Sequence, residues 1–175
     1  VEEAKTLVAA GVKELVLVAQ DTTVYGRDIY GESRLPQLLQ VLCAIEGLCW
    51  VRLLYCYPEH VTDALLDVMA SEEKILPYMD LPIQHASGHV LRAMNRPGDR
   101  ESLTAIIRRI REKVPGITLR TTVMTGFPGE SEEDFAESLA FIRKCGFADM
   151  HIFPYSRRPG TPADKMPGQH NNATK

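Results

Sequence analysis

A chain of 175 residues, 45% hydrophobic and 25% charged, has the composition of one globular domain with a real core. Its formal net charge of −3 gives no overall basic footprint for nucleic acid, and the cluster Arg108, Arg109, Arg111 and Lys113 reads as a solvated helix face. No apolar run approaches the roughly 20 residues that span a bilayer, and the first residues lack the basic-then-apolar order of a signal peptide. A cytoplasmic protein with no membrane contact is expected.

Helical and extended patterns alternate along the chain. A leading helix ends at Ala10-Gly11 and feeds the apolar run at 15–18. Leu35, Leu38, Leu39, Leu42 and Ile45 share a helix face by their spacing of three and four. A strand over 50–57 follows and stops at Pro58. Val61, Leu65, Leu66 and Met69 predict the next helix, and 75–83 the next strand. Leu103, Ile106, Ile107, Ile110 and Val114 form another stripe, followed by a β-rich run at 117–124. Ser131 with Asp134 resembles a capping box, opening a helix that Gly146 closes before a strand at 149–155. Five strands with helices between them predict an α/β fold with a parallel sheet, barrel or open. Residues 163–175 are expected to be an irregular polar tail or linker after a core at 1–162.

Counting strand residues in twos separates two faces. In 117–124, Ile117, Leu119, Thr121 and Val123 suit helix packing, which leaves Arg120, Thr122 and Met124 opposite. The same count puts Gln20, Arg52, Asp80, Gln84, Arg120 and His151 on the face away from the helices, as a polar ligand pocket requires. The alternative is an internal ion pair of Arg52 or Arg120 with Asp80. Cys43, Cys49, Cys56 and Cys145 lack metal or redox spacing and read as buried thiols of a reducing compartment. His85 and His89 are four apart, but Ser87-Gly88 between them predicts a turn, so no metal site is assigned.

Thr125-Gly126-Phe127-Pro128-Gly129-Glu130 joins a strand to a capped helix, with two glycines allowing close backbone approach to a ligand. With Met124 it resembles the GFPGE signature of radical S-adenosylmethionine enzymes. Gln20-Asp21-Thr22 with Tyr25-Gly26 resembles a segment of the methylthiotransferases within that group. Asp80-Leu81-Pro82-Ile83-Gln84-His85-Ala86-Ser87 and Met94-Asn95-Arg96-Pro97-Gly98 resemble the branch acting on a ribosomal protein rather than on tRNA. Further matches at 52–58 and 153–161 extend the likeness over most of the chain.

The resemblance implies a partial (β/α) TIM-like barrel, incomplete at its N-terminal side. It implies radical addition of a methylthio group to the β-carbon of an aspartate on a small-subunit ribosomal protein, with tRNA methylthiolation or a non-catalytic binding fragment as alternatives. The implied cofactors are S-adenosylmethionine and two [4Fe-4S] clusters, and the implied electron donor is a flavodoxin or ferredoxin. RNA contact would come through a further domain. None of the four cysteines matches a cluster ligand, so this chain alone is expected to be inactive. Gln20, Gln84, Arg120, Gly126, Phe127, Pro128, Gly129 and Glu130 are the expected cofactor-side residues, and no catalytic residue is assigned.

Overall fold

The computed structural model describes residues 1–175. Its helices are α1 (Glu2–Ala9), α2 (Arg27–Tyr30), α3 (Leu35–Cys43), α4 (Asp63–Ser71), α5 (Gly88–Ala93), α6 (Arg100–Lys113) and α7 (Glu132–Cys145). The strands β1 (Glu14–Leu17), β2 (Trp50–Leu53), β3 (Ile75–Asp80), β4 (Thr118–Thr125) and β5 (Asp149–Pro154) form one sheet in the order β1-β2-β3-β4-β5. The pairs β1–β2, β2–β3 and β4–β5 are parallel. Sequential parallel strands with a helix in every connection are the topology of a (β/α) barrel segment.

The chain divides into two compact units, residues 1–81 with 108–119 and residues 82–107 with 120–175. In the first, Leu39, Val51, Leu53, Leu66 and Ile110 are at 0% exposure. The spacing of Leu35, Leu39 and Leu42 buries one face of α3, and the Thr62 hydroxyl caps α4 by accepting the Leu65 amide at 3.2 Å. Arg109 donates to the Val61 carbonyl at 2.7 Å and Lys113 to Asp67 at 2.6 Å, which ties the end of α6 to α4.

In the second unit, Val90, Phe127 and Tyr155 make a core cluster against Met94, Met124, Ala163 and Met166. The predicted capping box forms: Ser131 accepts the Asp134 amide while the Asp134 carboxylate accepts that of Ser131. Residues 168–175 fold back along this unit through polar contacts. Gly129 donates to the Gly168 carbonyl at 3.0 Å, and Lys175 Nζ to that of Tyr155 at 2.8 Å.

Several elements differ from the sequence expectation. The strand predicted over 50–57 ends at Leu53, because Tyr55 takes a positive φ of 54° that a strand cannot continue through. The strand predicted over 75–83 ends at Asp80, and Gln84 lies beyond it at φ 66° with a single bridge to Val123. Gly88 is not in a turn but opens α5, with Ser87 as its N-cap. Cys43, Cys56 and Cys145 are buried as expected, whereas Cys49 is exposed because it lies in the loop entering β2. His151 and Phe153 are exposed, so β5 presents an open face rather than a buried lining.

Candidate cofactor-binding site

In the first unit, the loops after β1 and β2 meet at Asp21. Its Oδ1 accepts the Thr23 amide at 3.0 Å, the Thr23 hydroxyl and the Tyr57 amide at 3.4 Å, while Oδ2 faces His60 Nδ1 at 2.6 Å. A carboxylate cross-linking two loops in this way sets the backbone on either side of Gln20 and Tyr57. Ala19, Gln20, Tyr55 and Tyr57 line an open cleft of about 400 Å³, and the Tyr57 ring stacks on His60. Gln20 is exposed on this wall.

Arg52 is engaged along the sheet: its Nε donates to Glu14 at 2.6 Å, and its guanidinium lies 4.9 Å from the Tyr78 ring centre. Asp80, at 1% exposure, accepts the Tyr55 amide at 3.3 Å and so helps hold that residue's positive φ. Cys56 lies in the loop after β2, and burial, reinforced by the negative charges of Asp21 and Asp80, pushes its thiol far up.

In the second unit, Gln84 docks beside the end of β4, donating from its amide to Thr122 at 2.9 Å and accepting that of Met124 at 2.8 Å. Arg120 Nε donates to Asp149, its neighbour in the β4–β5 register, at 3.2 Å, and this bond draws the Asp149 carboxyl below its usual range. The loop 126–130 turns through Gly126 at φ 69° and Gly129 at φ 83°, a conformation that glycine adopts without a Cβ penalty.

The side chains of this loop do not all face outward as the motif suggests. Phe127 is at 6% exposure and packs edge-on to Tyr155 with ring centres 5.3 Å apart. Pro128 is buried. Glu130, at 7% exposure, turns back on its own loop, where Oε2 accepts the Phe127 amide at 3.0 Å. A cavity of about 150 Å³ beside the loop is lined by Thr125, Gly126, Glu130, Ser131, Phe135 and Lys175, among others. The loop leaves Gly129 exposed and packs Gly126 beside Lys175 at the edge of that cavity, while Phe127 and Glu130 hold its shape.

Sequence reasoning missed the support behind this loop. His85 and Glu130 are both buried, with His85 Nε2 3.4 Å from Glu130 Oε1. Ser87 Oγ donates to Asp134 at 2.5 Å, and His89 Nδ1 lies 3.2 Å from the same carboxylate. The alternation of His85, Ser87 and His89 was the available signal, but as metal-ligand spacing it points to the wrong chemistry.

The glycine backbone and adjoining cavity suit part of a nucleoside such as that of S-adenosylmethionine. The donors for an iron–sulfur cluster do not fit in the same way. Cys43, Cys49 and Cys56 are distributed over the end of α3, the loop before β2 and the loop after it, and no group of His, Cys, Asp and Glu stands close enough to hold a metal ion. Cluster ligation requires converging thiolates, so no step is assigned to a cluster held by these residues.

Solved structures with the same fold include coproporphyrinogen III oxidase (HemN) of Escherichia coli, with a TM-score of 0.73 at 16% identity over 99% of this chain and 42% of that one. Methylornithine synthase (PylB) gives a TM-score of 0.64 at 17% identity over 99% of this chain and 48% of that one. Among curated proteins, ribosomal protein uS12 methylthiotransferase RimO of Lachnoclostridium phytofermentans is 52% identical over 97% of this chain. Its counterpart of Alkaliphilus oremlandii is 51% identical over 99%. The chain spans 38% and 40% of the lengths of these two relatives. Residues 1–142 match the Radical SAM superfamily. The chain belongs to that superfamily, and the relatives it matches almost from end to end are RimO methylthiotransferases.

Proposed function

We propose that this chain is the cofactor-facing segment of a methylthiotransferase that adds a methylthio group to the β-carbon of an aspartate of ribosomal protein uS12. The observation that carries the reading is identity of about half over nearly the whole chain to enzymes of that name. S-adenosylmethionine supplies the radical chemistry when bound, with iron–sulfur clusters whose thiolates come from outside these residues and an electron donor of the flavodoxin or ferredoxin class. The residues of this chain bind and orient. The Gly126 and Gly129 backbone seats the adenosyl side, and Gln84 and Arg120 face the methionyl or ribose groups. In the first unit, Gln20, Tyr55 and Tyr57 line a cleft of their own.

No helix is long and apolar enough to cross a membrane, which is compatible with work on a ribosomal protein in the cytoplasm. The test is a methylthiolation assay with a full-length, cluster-reconstituted enzyme carrying this segment, offered uS12 and tRNA separately. A methylthio mass increment on an aspartate of uS12 is expected. Modification of tRNA alone would overturn the reading.

A further inference from the structure

His85 is the one large polar side chain among the most deeply buried, at 1% exposure. Its Nδ1 accepts the Ser87 amide at 3.0 Å, so that nitrogen carries no proton and the ring's N–H is on Nε2. Nε2 has no hydrogen-bond partner in bonding geometry. Glu130 Oε1 stands 3.4 Å from it, on a carboxylate whose side chain is itself only 4% exposed. The other oxygen of that carboxylate accepts the Phe127 amide. A buried carboxylate is costly unless donors surround it; here the loop backbone is one donor, and the Nε2–H that the Ser87 amide fixes stands close to the other oxygen.

We propose that His85 is a positioning residue for the 126–130 loop. As the Nε2–H tautomer that the Ser87 amide imposes, it steers the Glu130 carboxylate onto the Phe127 N–H and so sets the glycine backbone offered to the ligand. That the ligand is S-adenosylmethionine rests on the function proposed above; the positioning itself does not. Ser87 has a second task in the same assembly, since its hydroxyl donates to Asp134 at the start of α7. One short segment therefore braces both the loop and the helix that follows it.

The chemistry separates the two amide replacements of His85. A glutamine amide nitrogen falls near imidazole Nε2 and can donate toward Glu130, whereas an asparagine falls near Nδ1 and cannot reach. In E130Q the Phe127 N–H holds the amide oxygen, which turns the NH₂ toward His85 Nε2–H, donor against donor. Nitrogen-15 NMR of the 175-residue chain is expected to show His85 as the Nε2–H tautomer. Hydrogen exchange at the Phe127 amide is expected to quicken about tenfold in H85N and E130Q, as for loss of a hydrogen bond to a charged group, and to stay near wild type in H85Q.

A proton on Nδ1, or equal exchange in H85Q and H85N, would overturn the proposal. In a full-length enzyme carrying this segment, the Kd for S-adenosylmethionine should rise about tenfold in H85N and recover in H85Q. The NMR result with an unchanged Kd would leave the positioning role standing and sink the assignment of the loop to that cofactor.

Discussion

Asp21 Oδ2 stands 2.6 Å from His60 Nδ1, which joins the loop after β1 to the loop after β2 across 39 positions of sequence. Asp21 is the hub of that junction, because its other oxygen collects two backbone amides and the Thr23 hydroxyl. Its side chain is only 11% exposed, against 36% for His60. D21N keeps one acceptor for Thr23 but loses the charge facing His60. It should lower unfolding stability by about 1–2 kcal/mol, with H60A costing less because His60 is the more exposed partner. Urea unfolding of both variants checks the order; an equal or larger loss in H60A would contradict it.

The Asp134 carboxyl predicts an acid-side loss of stability. Burial pushes its pKa up, but the Ser87 hydroxyl, the Ser131 amide and hydroxyl, and His89 together hold it well below the usual carboxylate range. A depressed carboxyl stabilises the fold above its unfolded value, about 3.9 for aspartate, and loses that contribution as pH falls below it toward the folded value. D134N should cost about 1 kcal/mol at neutral pH by weakening the α7 cap and should flatten the dependence of stability on pH below about 4. Thermal unfolding at pH 7 and pH 3 reads both; an unchanged acid slope would contradict the assignment.

The order of helices and strands was legible because helix faces such as Leu35, Leu39 and Leu42, and strand faces such as Leu119, Thr121 and Val123, follow the periods of elements packed on one side. The capping box at Ser131 was equally local. What alternation could not reveal was the state of the opposite face. Counting in twos puts Arg120 and His151 on it, but whether that face is covered depends on neighbours that the period does not encode. Arg120 is a fifth exposed and paired, while His151 is open to solvent. The ends of β2 and β3 were misjudged for a related reason: Tyr55 and Gln84 are residues that ordinarily continue a strand, and tertiary bonds from Asp80 and Thr122 hold them at positive φ. The loop's two glycines marked a turn through positive φ, yet nothing in its spelling says that Phe127 and Glu130 turn inward.

Arg120, proposed above to face the cofactor, offers two separable readouts. Its bond to Asp149 lowers that carboxyl's pKa, so R120A should return Asp149 toward the ordinary range, visible by NMR titration. Because Asp149 is 70% exposed, solvent screens the pair and little stability should change with it. In a full-length enzyme carrying this segment, R120A should weaken S-adenosylmethionine binding about tenfold, as for loss of one charge-assisted hydrogen bond. Unchanged affinity by calorimetry would remove Arg120 from the cofactor side.

Gly126 and Gly129 both take positive φ, but a methyl group added to each meets a different environment. At Gly129 nothing lies within 4 Å, so G129A should cost only the left-handed backbone penalty, about 1–2 kcal/mol. At Gly126 the added Cβ would collide with Lys175 Cγ, whose Nζ is anchored on the Tyr155 carbonyl. G126A should therefore exceed G129A by about 1 kcal/mol or more, the usual range for overpacking. Lys175→Ala removes the colliding atom and should recover much of the difference in the double variant. A double-mutant cycle between positions 126 and 175 measures the coupling; additive losses would show that the tail yields freely, and that the backbone conformation alone demands glycine at 126.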